Sequence, residues 1–225
     1  MHSHILPGID DGAKTMEDSL AMIRQMAEMG YKRLIATPHI YRELYPNSSE
    51  IVLDRLALVR RAVQDAGIPV QIDAAAEYFM DEHFEDLLAK DDILTLPGGY
   101  VLVEMSFAAK TPGYRQIIFD LQLKGYKPIL AHPERYPYLT DRMGELETLA
   151  DGGCRMQLNL LSLGGVYGKG PQIAAEKMLK LGIVSMLGTD AHQPMHLRAL
   201  ADMVKKGIVG KVLDTYEFEN KLLLD

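Results

Sequence analysis

The chain has 225 residues, 48% hydrophobic and 24% charged, with a formal charge of −7. That acidity argues against a nucleic-acid backbone as general partner, and no apolar run approaches the length that spans a bilayer. The single cysteine, Cys154, excludes a disulfide framework within the chain and suits a reducing cytoplasm.

No basic-then-apolar leader, linker, low-complexity tract or repeat is visible, so one domain over residues 1–225 located in the cytoplasm is expected. In chain order, short apolar runs alternate with amphipathic segments. Residues 2–5 form a strand fragment, closed by Pro7-Gly8, whose period-two alternation would turn His2 and His4 to one side. Two imidazoles make half a metal site, although a tag remnant could also supply such a pair. A tight loop, Gly8-Ile9-Asp10-Asp11-Gly12, follows; either aspartate could bind metal, the other capping or remaining solvated.

Thr15 with Asp18 predicts a capped helix ending at Gly30. Strand 33–37 then runs into Thr37-Pro38-His39, and a helix from Ser48 or Ser49 to Gly67 precedes strand 70–75, which ends at Ala76-Glu77. The charged segment 81–90 reads as a helix. Strand 100–105 carries Val101-Leu102-Val103-Glu104, and helix 112–124 leads to strand 128–131, which ends at Ala131-His132 before Pro133-Glu134-Arg135. Helix 141–150, strand 155–160, helix 172–181 and strand 184–187 follow. The last strand runs into Gly188-Thr189-Asp190-Ala191-His192, with helices expected over 194–206 and 211–224.

This alternation predicts an α/β fold of six or seven βα units, with a closed or distorted parallel barrel ahead of an open doubly wound sheet. Nearly every strand ends in His, Asp or Glu, where active sites of parallel α/β folds collect. Singly, His39 and His132 could close turns, Asp190 could cap a helix and Glu77 could be a solvated acid. Glu104 resists such a reading, because it follows three aliphatic residues and a buried carboxylate costs several kcal/mol unless paired or coordinated. His83 and His196 fall on helices and read as non-ligands. Cys154, in Gly-Gly-Cys-Arg without a phosphate-binding loop, reads as structural.

The segments 2–12 (His-Ser-His-Ile-Leu-Pro-Gly-Ile-Asp-Asp-Gly), 36–39 (Ala-Thr-Pro-His), Glu77, 103–106 (Val-Glu-Met-Ser), 131–136 (Ala-His-Pro-Glu-Arg-Tyr) and 188–192 (Gly-Thr-Asp-Ala-His) together resemble the polymerase-and-histidinol-phosphatase (PHP) superfamily. Within it they resemble the bacterial manganese-dependent protein-tyrosine phosphatases of capsule and exopolysaccharide clusters. The resemblance implies a distorted (β/α)7 TIM-like barrel of the PHP type with up to three divalent ions, Mn²⁺ first and Fe or Zn as alternatives. It implies that His2, His4, Glu77 and Asp190 hold one ion, that Glu77 bridges to a second held by Glu104 and His132, and that Asp11, His39 and His192 hold the third. Arg135 matches the family's phosphate-binding arginine; Arg198 stands near, but displaced from, the place of a second one. In the family the opening strand carries apolar residues and an aspartate before His-x-His, whereas this chain begins inside that strand.

The implied ligands carry four negative charges against three divalent ions, leaving the site at about +2, which suits a phosphate dianion. The implied reaction is in-line attack of a metal-activated hydroxide on phosphotyrosine, with Arg135 stabilising the equatorial oxygens. The implied partner is the Tyr-rich tail of a bacterial tyrosine kinase. The alternatives are a histidinol-phosphate or other small phosphomonoester phosphatase, and a catalytically silent metal-binding module.

Overall fold

Short polar side chains start the early helices. In the computed structural model, which describes residues 1–224, the Asp18 amide donates to Thr15 Oγ1 and the Thr15 amide to Asp18 Oδ2, closing a capping box on α1 (Met16–Glu28). Ser48 and Asp81 cap α2 (Ser49–Asp65) and α3 (Glu82–Ala89) with a single bond each, their side chains accepting from Ile51 N and Phe84 N. The strands are β1 (Arg33–Ala36), β2 (His39–Ile40), β3 (Gln71–Ala74), β4 (Glu77–Phe79), β5 (Tyr100–Glu104), β6 (Lys127–Ala131), β7 (Arg155–Asn159) and β8 (Met186–Gly188). The later helices are α4 (Tyr114–Leu123), α5 (Pro137–Thr140), α6 (Met143–Asp151), α7 (Leu160–Leu163), α8 (Lys169–Lys180), α9 (Pro194–Lys205) and α10 (Ile208–Thr215).

All strand pairs are parallel. β1 pairs with β3, and a six-stranded sheet runs β2-β4-β5-β6-β7-β8. These sheets do not themselves close. Two continuous stretches of chain join them: β1 leads through Thr37-Pro38 into β2, and β3 through Ala75-Ala76 into β4. Ala75 N donates to Ala36 O (2.8 Å) and Glu77 N to Pro38 O (3.0 Å) across those breaks. Residues 2–4 lie between the far edges: Asp190 N donates to His2 O (2.9 Å), His4 N to Ala191 O (3.0 Å) and Thr37 N to Ser3 O (2.9 Å).

Both faces of the strands are buried, as parallel strands require. Leu102, Ile129, Ala131 and Met186 turn inward with Ile35 and Ala75, whereas Val101, Val103, Leu130 and Leu158 face the helices. All six strands expected over 33–187 form, within a residue or two at their ends. Two differences matter. Residues 2–5 are not a strand but a single bridge at Ser3, and His2 is left-handed at φ 62°. The expected helix 211–224 is instead α10 followed by an extended Tyr216 and a 3₁₀ turn, Glu219–Leu223. Its polar groups bond to β8 and to the residue before it: Leu187 N donates to Asn220 Oδ1 (2.9 Å), Asn220 Nδ2 to Leu187 O (2.8 Å) and Glu219 N to Ser185 O (2.7 Å). Among the described residues no helix is long and apolar enough to cross a membrane.

Candidate metal centre

Three of the polar residues at the strand ends have unusual backbones. His2, His132 and Asp190 have φ of 62°, 36° and 46°, a conformation that costs about 1–3 kcal/mol at a non-glycine residue and persists only where surroundings over-determine it. His2, His4, Glu77 and Asp190 are all buried. His2 Nε2 lies 3.2 Å from Glu77 Oε2 and 3.3 Å from Asp190 Oδ1, and His4 Nε2 lies 3.4 Å from both.

The outer nitrogens of these imidazoles are tethered. His2 Nδ1 donates to Gln157 Oε1 (2.6 Å) and His4 Nδ1 to Asp10 Oδ2 (2.8 Å), leaving both Nε2 atoms facing the carboxylates. Asp10 is itself fixed by amides, accepting from Gly12 N at 2.9 Å and from His39 N at 3.3 Å. The two aspartates therefore differ: Asp10 is neither a cap nor solvated but orients His4, and Asp11 faces the cluster. Two glycines make room. A Cβ at Gly12 would stand 2.0 Å from His4 O, and one at Gly188 would stand 2.3 Å from Gln157 Nε2.

Glu77 joins the groups. Its Oε1 lies 3.1 Å from His132 Nε2, and its Oε2 lies 3.3 Å from His39 Nδ1, which is also 2.8 Å from Glu104 Oε1. Asp11 Oδ1 lies 3.4 Å from both His39 Nε2 and His192 Nε2, and the His192 ring stacks on His4 at 3.8 Å. Three sets have donor atoms close enough to share an ion: His2, His4, Glu77 and Asp190; His39, Glu77 and Glu104; and His4, Asp11, His39 and His192. The structure thus brings all nine expected residues together. It differs from the implied grouping in setting His39 beside Glu104, with His132 against Glu77 alone.

Electrostatics favour cations here. Burial works against charging His2, but Glu77 and Asp190 outweigh it and raise its pKa to about 9. For His39, burial and His4 act downward, yet Glu104 and Asp11 raise it to about 10. Burial would lift the Asp11, Glu77 and Asp190 carboxyls, but the surrounding imidazoles hold them below the usual range. Both Glu77 oxygens, Asp190 Oδ1 and His132 Nδ1 are buried without a hydrogen-bond partner. Buried carboxylate oxygens are costly unless paired or coordinated. A mixed imidazole and carboxylate set with such oxygens fits divalent transition-metal ions.

Arg135 Nη1 donates to Asp190 Oδ2 (2.7 Å), which also accepts from Asn159 Nδ2 (2.9 Å). The guanidinium lies between two rings, 4.1 Å from the Tyr167 centroid and 4.4 Å from that of Phe107. Arg198 is exposed on α9. His196 is half-buried rather than superficial, with Nδ1 accepting from His192 N (3.2 Å). Burial pushes the Cys154 thiol up to about 12, which removes it as a nucleophile. The sequence reading missed the orienting role of Asp10, Gln157 in β7, Asn159 and Phe107. For Gln157 a signal existed, a polar residue inside the buried run Arg-Met-Gln-Leu-Asn.

Comparison with known proteins gives concordant findings. A family model described as "Capsular polysaccharide synthesis, CpsB/CapC" matches residues 1–220. The tyrosine-protein phosphatase YwqE of Bacillus subtilis (strain 168) is 32% identical over 193 residues, 85% of this chain and 76% of that protein. The putative tyrosine-protein phosphatase CapC of Staphylococcus aureus is 27% identical over 230 residues, 100% of this chain and 90% of its own. One chain from the crystal structures of YwqE from Bacillus subtilis and CpsB from Streptococcus pneumoniae, described as unique metal-dependent tyrosine phosphatases, matches with a TM-score of 0.82 at 30% identity. The match covers 91% of this chain and 85% of that one.

Proposed function

The chain belongs to the CpsB/CapC family of capsular polysaccharide synthesis, and from that premise we propose that it is a metal-dependent protein-tyrosine phosphatase. The observation that carries this reading is the convergence of five imidazoles and four carboxylates around Glu77, with Arg135 at the edge. We assign His2, His4, Glu77 and Asp190 to one ion; Glu77, Glu104 and His132, with His39 in reach, to a second; and Asp11, His39 and His192 to a third. Mn²⁺ is the proposed ion, ahead of Fe and Zn. When bound, such ions polarise phosphoryl oxygens and lower the pKa of water enough to supply a nucleophile at neutral pH.

The chain's own groups do the rest. Arg135, pinned by Asp190, binds the equatorial oxygens of the phosphoryl group where negative charge gathers. Gln157 and Asp10 hold the His2 and His4 rings with Nε2 inward. A tyrosyl leaving group, with a free pKa of about 10, departs more readily than an alkoxide and makes less demand on a general acid.

The three backbone bonds that join residues 2–4 to the segments just after β8 and β1 support reading the fold as a distorted (β/α)7 barrel, and residues 1–225 as one phosphoesterase domain. The family's place in capsule synthesis supports a cytoplasmic tyrosine kinase tail as substrate. The test is turnover of phosphotyrosine peptides by the Mn²⁺-loaded protein, with loss on chelation. Equal or better efficiency on histidinol phosphate would overturn the tyrosine assignment.

A further inference from the structure

Phe107 is 44% exposed, yet it is not a loose side chain. It sits in the loop after β5, which two tyrosines from the segment after β6 tie down. Met105 N donates to Tyr136 Oη (3.1 Å) and Tyr138 Oη donates to Ser106 O (2.6 Å). One side of the Phe107 ring meets the Arg135 guanidinium, and its centroid is 5.5 Å from those of His132 and Tyr136. Across Glu77 the arrangement repeats. The half-buried Tyr45 ring lies nearly parallel to His39, 5.3 Å away and tilted 16°, while Tyr45 and Tyr41 exchange backbone bonds of 2.7 and 3.0 Å. His132 and His39 face opposite oxygens of Glu77, and each carries an aromatic ring on its outer side.

We propose that Phe107 and Tyr45 are specificity-determining walls that receive the aromatic ring of an aryl phosphate whose phosphoryl group lies at the Glu77 cluster beside Arg135. The inference rests on the phosphatase reading above and adds the residues that choose among phosphomonoesters. The ligand groups and Arg135 recognise a phosphoryl group whatever it is attached to. A phenyl ester also has the better leaving group, but that advantage is the same in every variant, so a ring held just outside them is what a change in the aryl-to-alkyl ratio reports. Offset or edge-on aromatic contacts are worth about three- to tenfold in affinity each.

The test compares phenyl phosphate with propyl phosphate as substrates of the Mn²⁺-loaded wild type, Phe107→Leu, Tyr45→Leu and Phe107→Tyr. The aryl-to-alkyl ratio of kcat/KM is expected to fall about three- to tenfold in each leucine variant and to survive in Phe107→Tyr. Calorimetric binding of phenylphosphonate against propylphosphonate reads the same preference without turnover. An unaltered ratio in both leucine variants, by rate and by binding, overturns the walls alone. A wild type that hydrolyses neither ester overturns the phosphatase reading, and the phosphonate ratio then decides the walls separately. Leu at 107 keeps most of the apolar volume at an exposed position, and circular dichroism with metal content confirms that each variant is folded and loaded.

Discussion

Asp10 and Asp11 are chain neighbours with different surroundings: the Asp10 side chain is fully buried against His4, and that of Asp11 is 49% exposed beside His39 and His192. Nothing in the two letters separates them; the distinction arises because the loop turns one toward the imidazole and the other toward the cleft. Asp10→Asn is expected to weaken metal binding by about 10–100-fold, as loss of an outer partner does, measured by Mn²⁺ titration calorimetry. Arg135→Ala should retain metal while kcat falls by about 100- to 1,000-fold; unchanged turnover would remove its role. The imidazoles also predict a pH dependence. With no ion bound, the raised pKa values of His2 and His39 lend stability that is full below about 6.5 and drains as pH climbs through about 9 and 10. The depressed carboxyls Asp11, Glu77 and Asp190 act on the other limb, with stability lost as pH falls below about 4. Ions must displace the imidazole protons. The Tm of chelated protein should therefore fall between pH 7 and 9.5 while the increment given by Mn²⁺ grows; a rising chelated Tm across that interval would contradict the assignment.

Among the elements, helix starts and the longer strands were legible because caps and aliphatic runs are local signals, as at Thr15-Asp18 and Val101-Leu102-Val103. β2 and β4 were not, since each is only two or three residues resuming after a break and pattern needs length. Glu77 consequently opens a strand where the sequence suggested the end of one. The C-terminal turn was illegible for another reason: its partners are the β8 backbone and Arg33, whose Nη1 donates to Leu223 O and Leu224 O at 3.0 and 2.8 Å. Leu223 is 3% exposed inside the inner cluster, whereas Leu224 is 65% exposed. Leu223→Ala should cost about 2–5 kcal/mol in urea unfolding and Leu224→Ala within about 0.5 kcal/mol. Similar losses for both would mean that the turn does not close the inner core.

Over the whole molecule, an acidic chain concentrates carboxylates and imidazoles from both ends of its sequence at one cluster. Four of the nine expected site residues, His2, His4, Asp190 and His192, come from the bridge at residues 2–4 and the segment after β8, and the others from β2, β4, β5, the loop after β6 and the loop after residue 8. The residues expected at the site stand out in the sequence where they follow an aliphatic run, as Glu104 and His132 do. The pairing of His39 with Glu104 depends on the register of β2 against β4 and of β4 against β5, which no local signal encodes. Ions binding only the folded form should stabilise it by about 2.7 kcal/mol at a hundredfold excess over Kd. Chelation should accordingly lower the Tm, and Mn²⁺ should restore it in proportion to the logarithm of its concentration.

The bridge at residues 2–4 has a temporal consequence. Ser3 sits between Ala191 and Thr37, and His2 and His4 meet Asp190 only when that bridge forms. On a ribosome adding roughly 5–20 residues per second, the first two imidazoles emerge roughly 10–40 s before their last carboxylate is even made. Until then a nascent chain exposes His-x-His without its partners, so completing the proposed first site becomes a closing act of biogenesis, and a chain truncated before Asp190 would have these imidazoles without the carboxylate they face.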